Sequence, residues 1–322
     1  MWINEYVKLM YPKNMKNIQI GEAMELKYQN IPSALYKYRT VSKYSIENFT
    51  NDEVWFNTAA EFNDPYDCAL TMSSDVTDRL ASVLKVKFPE IINKFNLKVK
   101  EEEIEKFQNM NFVEALTFIL NLDENLKAKQ KGEGINGYAR AIERMMKEEG
   151  NKELLEINEM FQKGTLISCF SELNDSILMW SHYATNHTGF CIEYNFKKVG
   201  IENPLTRLLQ PVIYNDEMFD IAGYFHEARE NMGRFNNLIG TYAAIIKSTE
   251  WSYEKEWRLA FTLGNGEGFS RSLFRPESIY LGAKISNEDK EKLIEIAKKK
   301  RISVFQMKMK NNEFKLVSEK IL

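Results

Sequence analysis

Residues 76–163 change the character of this chain. They are rich in Lys, Glu, Leu, Ile, Met and Asn, with helical periodicity and few strand signals. Strand-like segments stand on both sides of the block. LYKYR (35–39) and EVWFNT (53–58) precede it. TLISCFSE (165–172), GFCIEYNF (189–196), RLLQPVIYND (207–216), EKEWRLAFTL (254–263) and SIYLGAKI (278–285) follow it. Strands, then helices, then strands with scattered helices argue for an α+β fold, with a mixed, mostly antiparallel sheet core and a helical insertion. Regular βαβ winding would not give this order. Residues 1–30 read as an N-terminal extension of one helix and a turn. Residues 31–322 read as a single α+β domain, interrupted by the insertion at about 76–163.

Smaller elements follow from local signals. Residues 42–52 read as a helix stopped at Asn51–Asp52, and 60–70 as a turn-rich loop, because Asn-Asp-Pro continues neither helix nor central strand. KQKGEGING (129–137) reads as a break between helices. Residues 175–187 read as a short helix, and 217–249 as helical. NEDKEKLIEIAKKKR reads as a helix opening at Asn287 with basic residues at its end, as the dipole favours. ISVFQMKM and EFKLVS read as a hairpin over Asn311–Asn312.

Composition excludes several classes. The formal net charge of −3 gives no global attraction to nucleic acid. The three cysteines, Cys68, Cys169 and Cys191, are odd in number and lack CxxC spacing, which argues against a disulfide framework or a structural zinc site. The opening residues lack a secretory signal pattern, and no apolar run is long enough to span a bilayer. Cytoplasmic localisation and no membrane partner are therefore expected. Neither GxGxxG nor GxxxxGK[ST] is present.

Four islands carry groups suited to chemistry. Arg39, at the end of a strand, can hold a phosphate or carboxylate bidentately, or can lie on an edge strand in solvent. Asn63 and Asp64, with Asp67 behind them, can orient a substrate or close an Asx turn. The segment 168–187 brings Ser171, Trp180, His182, Tyr183 and His187 into one strand–turn–helix–turn unit. Trp180 and Tyr183 share a helix face, where they can wall a flat ring or simply fill core. His182 and His187 are five apart, the wrong spacing for two metal ligands on one helix. The last island puts Glu254, Glu256 and Arg258 on one strand face. Such charges need solvent, a ligand or one another. They make either an ion network with Arg39 or a catalytic glutamate beside an arginine.

The order LYKYR, VWFNTAAEFNDPYDC, ISCFSELNDSILMWSHYATNHTGFCIEY, WSYEKEWRL and FRPESIYLGAKIS resembles the bacterial domain of unknown function family 2971, over residues 35–70 and 165–320. At fold level the aromatic-basic strand, turning helix, polar loop and late-strand glutamate are similar to the ADP-ribosyltransferase superfamily. That resemblance implies NAD as co-substrate and no metal. It gives Arg39 the dinucleotide, Ser171 or Tyr183 the nicotinamide, and Glu256 the ribose and acceptor. Asn63, Asp64, Trp180, His182 and Arg258 complete the implied cofactor site. The late motif departs from the superfamily's Gln-x-Glu, reading Glu254-Lys255-Glu256.

The first functional expectation is therefore an ADP-ribosyltransferase-like enzyme that uses NAD, by transfer to a macromolecule or by NAD hydrolysis, in a bacterial toxin or phage-defence setting. Its partners would be a small-molecule nucleotide and a protein or nucleic-acid acceptor, with a partner protein on the helical insertion. The alternative is a non-enzymatic binding module. A further alternative is a metal-dependent nuclease using Asp64, Asp67 and Glu256.

Overall fold

Strands fall where the chain runs apolar in alternation or, in the middle of the sheet, almost continuously. The computed structural model describes residues 2–72, 76–122, 134–224, 232–262 and 266–322. Its strands are β1 (Leu35–Arg39), β2 (Glu53–Thr58), β3 (Leu70–Thr71), β4 (Leu166–Ser171), β5 (Phe190–Tyr194), β6 (Leu209–Pro211), β7 (Ile213–Asn215), β8 (Phe219–Asp220), β9 (Ile246–Ser248), β10 (Glu256–Phe261), β11 (Phe269–Ser272), β12 (Ser278–Leu281), β13 (Ser303–Met309) and β14 (Leu316–Lys320). The main sheet runs β11-β2-β4-β1-β5-β12-β13-β14, and β10 joins β4 to β6. Its pairings are antiparallel except β12 with β13. The fold is α+β. Among the described residues no helix is long and apolar enough to cross a membrane.

Two compact units are present. One comprises residues 1–70, 159–219 and 223–322, and the other 71–158 with 220–222. In the second, the helices Val76–Phe95, Glu101–Gln108 and Phe112–Asn121 pack around Phe88, Phe107 and Ala115. The Phe88 and Phe107 rings stack at 3.8 Å between centroids.

In the first unit both faces of the sheet are covered. One row across four strands reads Lys37, Ile192, Ile279, Val304. The aliphatic members of this row, with Leu35, Phe170 and Leu259, belong to the main core, to which the helix Asn287–Lys300 contributes Leu293 and Ala297. On the opposite face Tyr38, Cys191 and Tyr280 meet Met179 and Trp180 of the helix Ile177–Tyr183. Each fully buried Phe or Leu contributes about 1.5–3 kcal/mol.

Several elements differ from the sequence reading. Residues 1–30 hold two α-helices, Trp2–Met10 and Ile20–Asn30, where one was expected. The segment 207–216 divides after Val212: its N–H still continues the β6–β10 ladder to the Glu256 carbonyl at 3.0 Å, while the Ile213 N–H turns to the Ile245 carbonyl at 2.7 Å, so β6 and β7 join different sheets. The expected helix 217–249 contains β8 and β9, and β9 pairs with β7 in parallel. Its residues 225–231, like residues 129–133 of the expected break, lie outside the described residues. The expected strand at 254 starts two residues later. Thr249–Glu254 is a 3-10 turn closed by Lys255, whose φ of 47° is left-handed. The last helix, Asn287–Lys300, does open at Asn287 as read, and Ser286 caps it, its side chain accepting from Asp289 N. The final hairpin closes through Lys310 N–H to Lys315 C=O, a wider loop than Asn311–Asn312 alone.

Candidate functional site

The site arises where the sheet branches. Along one edge β4 pairs with β10 from Leu166↔Phe261 to Ser171↔Glu256. On the other edge its start pairs with β2, at Thr58↔Leu166 and Asn57↔Ile167, and its end with β1, at Tyr36↔Ser171. Among the described strands, none pairs with Ser168–Phe170 on that second edge. A cavity of about 420 Å³ opens there. Its walls include Lys37, Arg39, Asn57, Asn63, Ser171, His182, Tyr183, Lys247, Glu254 and Glu256.

One wall is a buried ion network. Period-2 geometry puts Glu256 and Arg258 on the same face of β10, with Trp257 and Leu259 in the core behind. Arg258 is fully buried and uses all of its N–H groups. Nη1 and Nη2 donate to Asp67 at 2.6 and 2.7 Å, Nε and Nη2 to Glu256 at 2.8 and 3.0 Å, and Nη1 to the Ala244 carbonyl at 2.8 Å. Lys247 Nζ donates to Glu254 at 2.6 Å and Glu256 at 2.9 Å. Tyr183 donates its hydroxyl proton to the other Glu254 oxygen at 2.6 Å. Ser171 Oγ donates to the Glu254 carbonyl at 2.6 Å. The left-handed Lys255 is the joint that lets the 3-10 turn and β10 bring both glutamates to the same wall.

The charges do not cancel within this network. Asp67, Glu254 and Glu256 are three carboxylates, and Lys247 and Arg258 two cations. Burial raises the Glu256 carboxyl, but Arg258 and Lys247 outweigh it and bring it down to about 2. Burial also raises Glu254, Lys247 opposes this, Glu256 reinforces it, and the carboxyl ends above its ordinary range. Burial lowers Lys247, yet Glu256 and Glu254 hold its ammonium above the ordinary lysine value. Glu256 is thus a fixed anion, and Glu254 the carboxylate better able to take a proton.

The opposite wall is cationic. Arg39 pairs with no carboxylate among the described residues, and burial lowers its pKa. Lys37 is 8% exposed and donates to Ser168 Oγ at 2.8 Å and the Cys169 carbonyl at 3.1 Å. It fills the place of the missing neighbour strand beside β4. Burial, then the Arg39 charge, bring its pKa down to about 8.

Of the residues singled out in the sequence, Arg39, Asn63, Ser171, His182, Tyr183 and Glu256 line the cavity. Asp64, Trp180 and Arg258 do not. Asp64 is buried and closes an Asx turn, Oδ1 accepting from Tyr66 N at 2.9 Å, while Oδ2 has no hydrogen-bond partner. Trp180 is core, packed edge-on against Tyr38, with Nε1 donating to the Asn174 carbonyl at 2.7 Å. Arg258 lies behind the wall as the counterion of Glu256 and Asp67. It is Lys247, not Arg39, that completes the ion network. Among the described residues no group of three or more His, Cys, Asp or Glu is arranged to hold a metal. Asp67 and Glu256 converge on Arg258 instead.

Sequence reasoning missed Lys247 and Lys37. Lys247 sits on the short strand β9, inside a stretch whose Ala and Ile content reads as helix. Lys37 did carry a signal: a lysine in a strand covered on both faces must meet buried acceptors or a pocket.

No curated protein and no solved structure matches the chain. A narrower stretch than the sequence resemblance, residues 179–259, carrying Tyr183, Lys247, Glu254, Glu256 and Arg258, matches the family described as protein of unknown function (DUF2971).

Proposed function

We propose that this cavity binds NAD and that the protein is an ADP-ribosyltransferase-like enzyme, passing ADP-ribose to a macromolecule or to water. The observation that carries the reading is that Arg39, Tyr183, Glu254 and Glu256 line one cavity. Arg39 is a guanidinium without a partner carboxylate among the described residues, suited to a pyrophosphate oxygen. Breaking the nicotinamide–ribose bond sends its electron pair to the nicotinamide nitrogen and leaves oxocarbenium charge on the ribose. A permanently ionised Glu256 stabilises that charge. As water or an acceptor hydroxyl adds to the ribose carbon, Glu254 takes its proton. Tyr183, bonded to Glu254, fixes the carboxylate and offers a ring face to the nicotinamide. A bacterial toxin or phage-defence role, with helices of residues 76–158 as a partner surface, belongs to the same proposal.

One observation favours a second reading. Both Glu256 oxygens already accept from Arg258 or Lys247, as they would in a binding module whose ion network is structural. The test is nicotinamide release from NAD by purified protein, with and without cell lysate. Under the enzyme reading, release falls by about two orders of magnitude in Glu256→Gln. NAD binding without release supports the module. Neither binding nor release by folded protein overturns the NAD proposal.

A further inference from the structure

Two lysines lie deep in the first unit with only neutral acceptors around their nitrogens. Lys27 Nζ donates to the Arg207 and Leu209 carbonyls, both at 2.7 Å. Lys37 Nζ donates to Ser168 Oγ and the Cys169 carbonyl. Neither pairs with a carboxylate among the described residues. An ammonium carries three N–H donors, and each of these sites supplies two acceptors. A neutral amine matches that count and keeps a free lone pair. The two sites differ in access. Lys27 is 1% exposed and does not line the cavity, whereas Lys37 stands on the cavity wall. The Phe170 ring, 5.0 Å from Lys37 Nζ, favours the cation. Burial without a counterion and the Arg39 charge favour the amine, the two conditions that activate a lysine nucleophile.

We propose that Lys37 is a nucleophilic amine that condenses reversibly with the carbonyl of a phosphate-bearing aldehyde, the phosphate resting on Arg39. The Nζ lone pair forms a C–N bond to the carbonyl carbon. The carbonyl oxygen takes up the amine's proton, giving a carbinolamine. That oxygen, protonated again, leaves as water, and the lost N–H proton returns to solvent as the imine forms. No oxidant is needed, and water reverses the step. A pKa brought down to about 8 leaves a larger neutral fraction near pH 7 than an exposed lysine has. The inference goes beyond NAD cleavage and does not depend on it, since it uses only the cavity, Lys37 and Arg39.

The experiment treats the full chain at pH 7 with ribose 5-phosphate and sodium cyanoborohydride, which reduces an imine to a stable secondary amine, and maps labelled peptides by mass spectrometry. Label at Lys37 is expected about tenfold or more above an exposed lysine, with Lys27 unlabelled. Ribose without phosphate should label Lys37 weakly, and Arg39→Ala should remove the advantage of the phosphate. Lys37→Arg, checked for folding by circular dichroism, should lose that label alone. Label spread over surface lysines with no excess at Lys37 in folded wild-type protein overturns the proposal. Equal labelling by ribose and ribose 5-phosphate overturns the role of Arg39. Because NAD is absent, neither result depends on nicotinamide release.

Discussion

At the scale of residues, Arg258 governs the site without touching its interior. It neutralises two buried carboxylates, Asp67 and Glu256, and removing it strips Asp67 of its close cationic partner and leaves Glu256 to Lys247 alone. Breaking one side of a buried pair costs about 3–5 kcal/mol. Arg258→Met is therefore expected to lower the urea midpoint severely. Adding Asp67→Asn should recover part of the loss, because one stranded charge is gone. A double variant no more stable than Arg258→Met would show that packing, not charge, is what Arg258 supplies. Tyr183→Phe is a milder change. It takes one hydrogen bond from Glu254, worth about 1.5–3 kcal/mol for a charged acceptor. On the proposed reading it raises the Glu254 pKa further, visible as a shift in the carboxyl carbon resonance on titration.

At the scale of elements, two joints hold the walls in place. Gly189 lies where β5 enters beside β1, and a Cβ there would run into the Arg39 carbonyl. Gly189→Ala should lower the melting temperature and weaken binding of any anion at Arg39, because the clash displaces that end of β1. The other joint is Lys255, left-handed between the 3-10 turn and β10. Lys255→Gly should change stability by less than about 1 kcal/mol, whereas Lys255→Val, β-branched at positive φ, should cost about 1–2 kcal/mol or more. Elements were legible in the sequence where pattern and burial agree. EVWFNT matches β2, whose burial alternates over the full strand, and LYKYR matches β1, whose aromatic-rich run is largely covered on both faces. β9 was illegible because three residues cannot display a period, and Lys247 went with it. β11 was missed because Ser270, Arg271 and Ser272 are exposed and its pairing with β2 is a tertiary fact. The walls that Arg39, Tyr183 and Glu256 supply could be named from sequence. That Arg258 stays behind the wall, holding carboxylates that line the cavity, could not, since its partner Asp67 is 191 residues distant.

At the scale of the whole molecule, buried charges set how stability follows pH. The Glu256 carboxyl is held near 2, below its unfolded value of about 4.3. Its contribution is present above the unfolded value and is lost as pH falls toward 2. Glu256→Gln should therefore flatten the acid limb of a stability–pH curve. Lys27 and Lys37 act at the other end. Burial and neighbouring arginines bring them down to about 7 and about 8, below the unfolded value of about 10.4. A depressed lysine contributes fully above its unfolded pKa and loses that contribution as pH falls through the folded one. The urea midpoint is expected to rise between pH 7 and pH 9, and Lys27→Met should reduce that rise. A midpoint that is flat or falling over this interval in wild-type protein would show that both lysines stay charged.

The branch at β4 also dictates how late the chain can close. During synthesis β1 and β2 emerge long before β4, their shared neighbour, and β4 long before β10. Such distant partners give a high contact order and slow folding. A ribosome-bound chain ending before residue 256 holds Asp67 with no guanidinium and β4 with its β10 edge unpaired. Nascent chains released at that length should be captured by chaperones and cut by proteases, and protection should appear only once residues beyond 261 have left the exit tunnel.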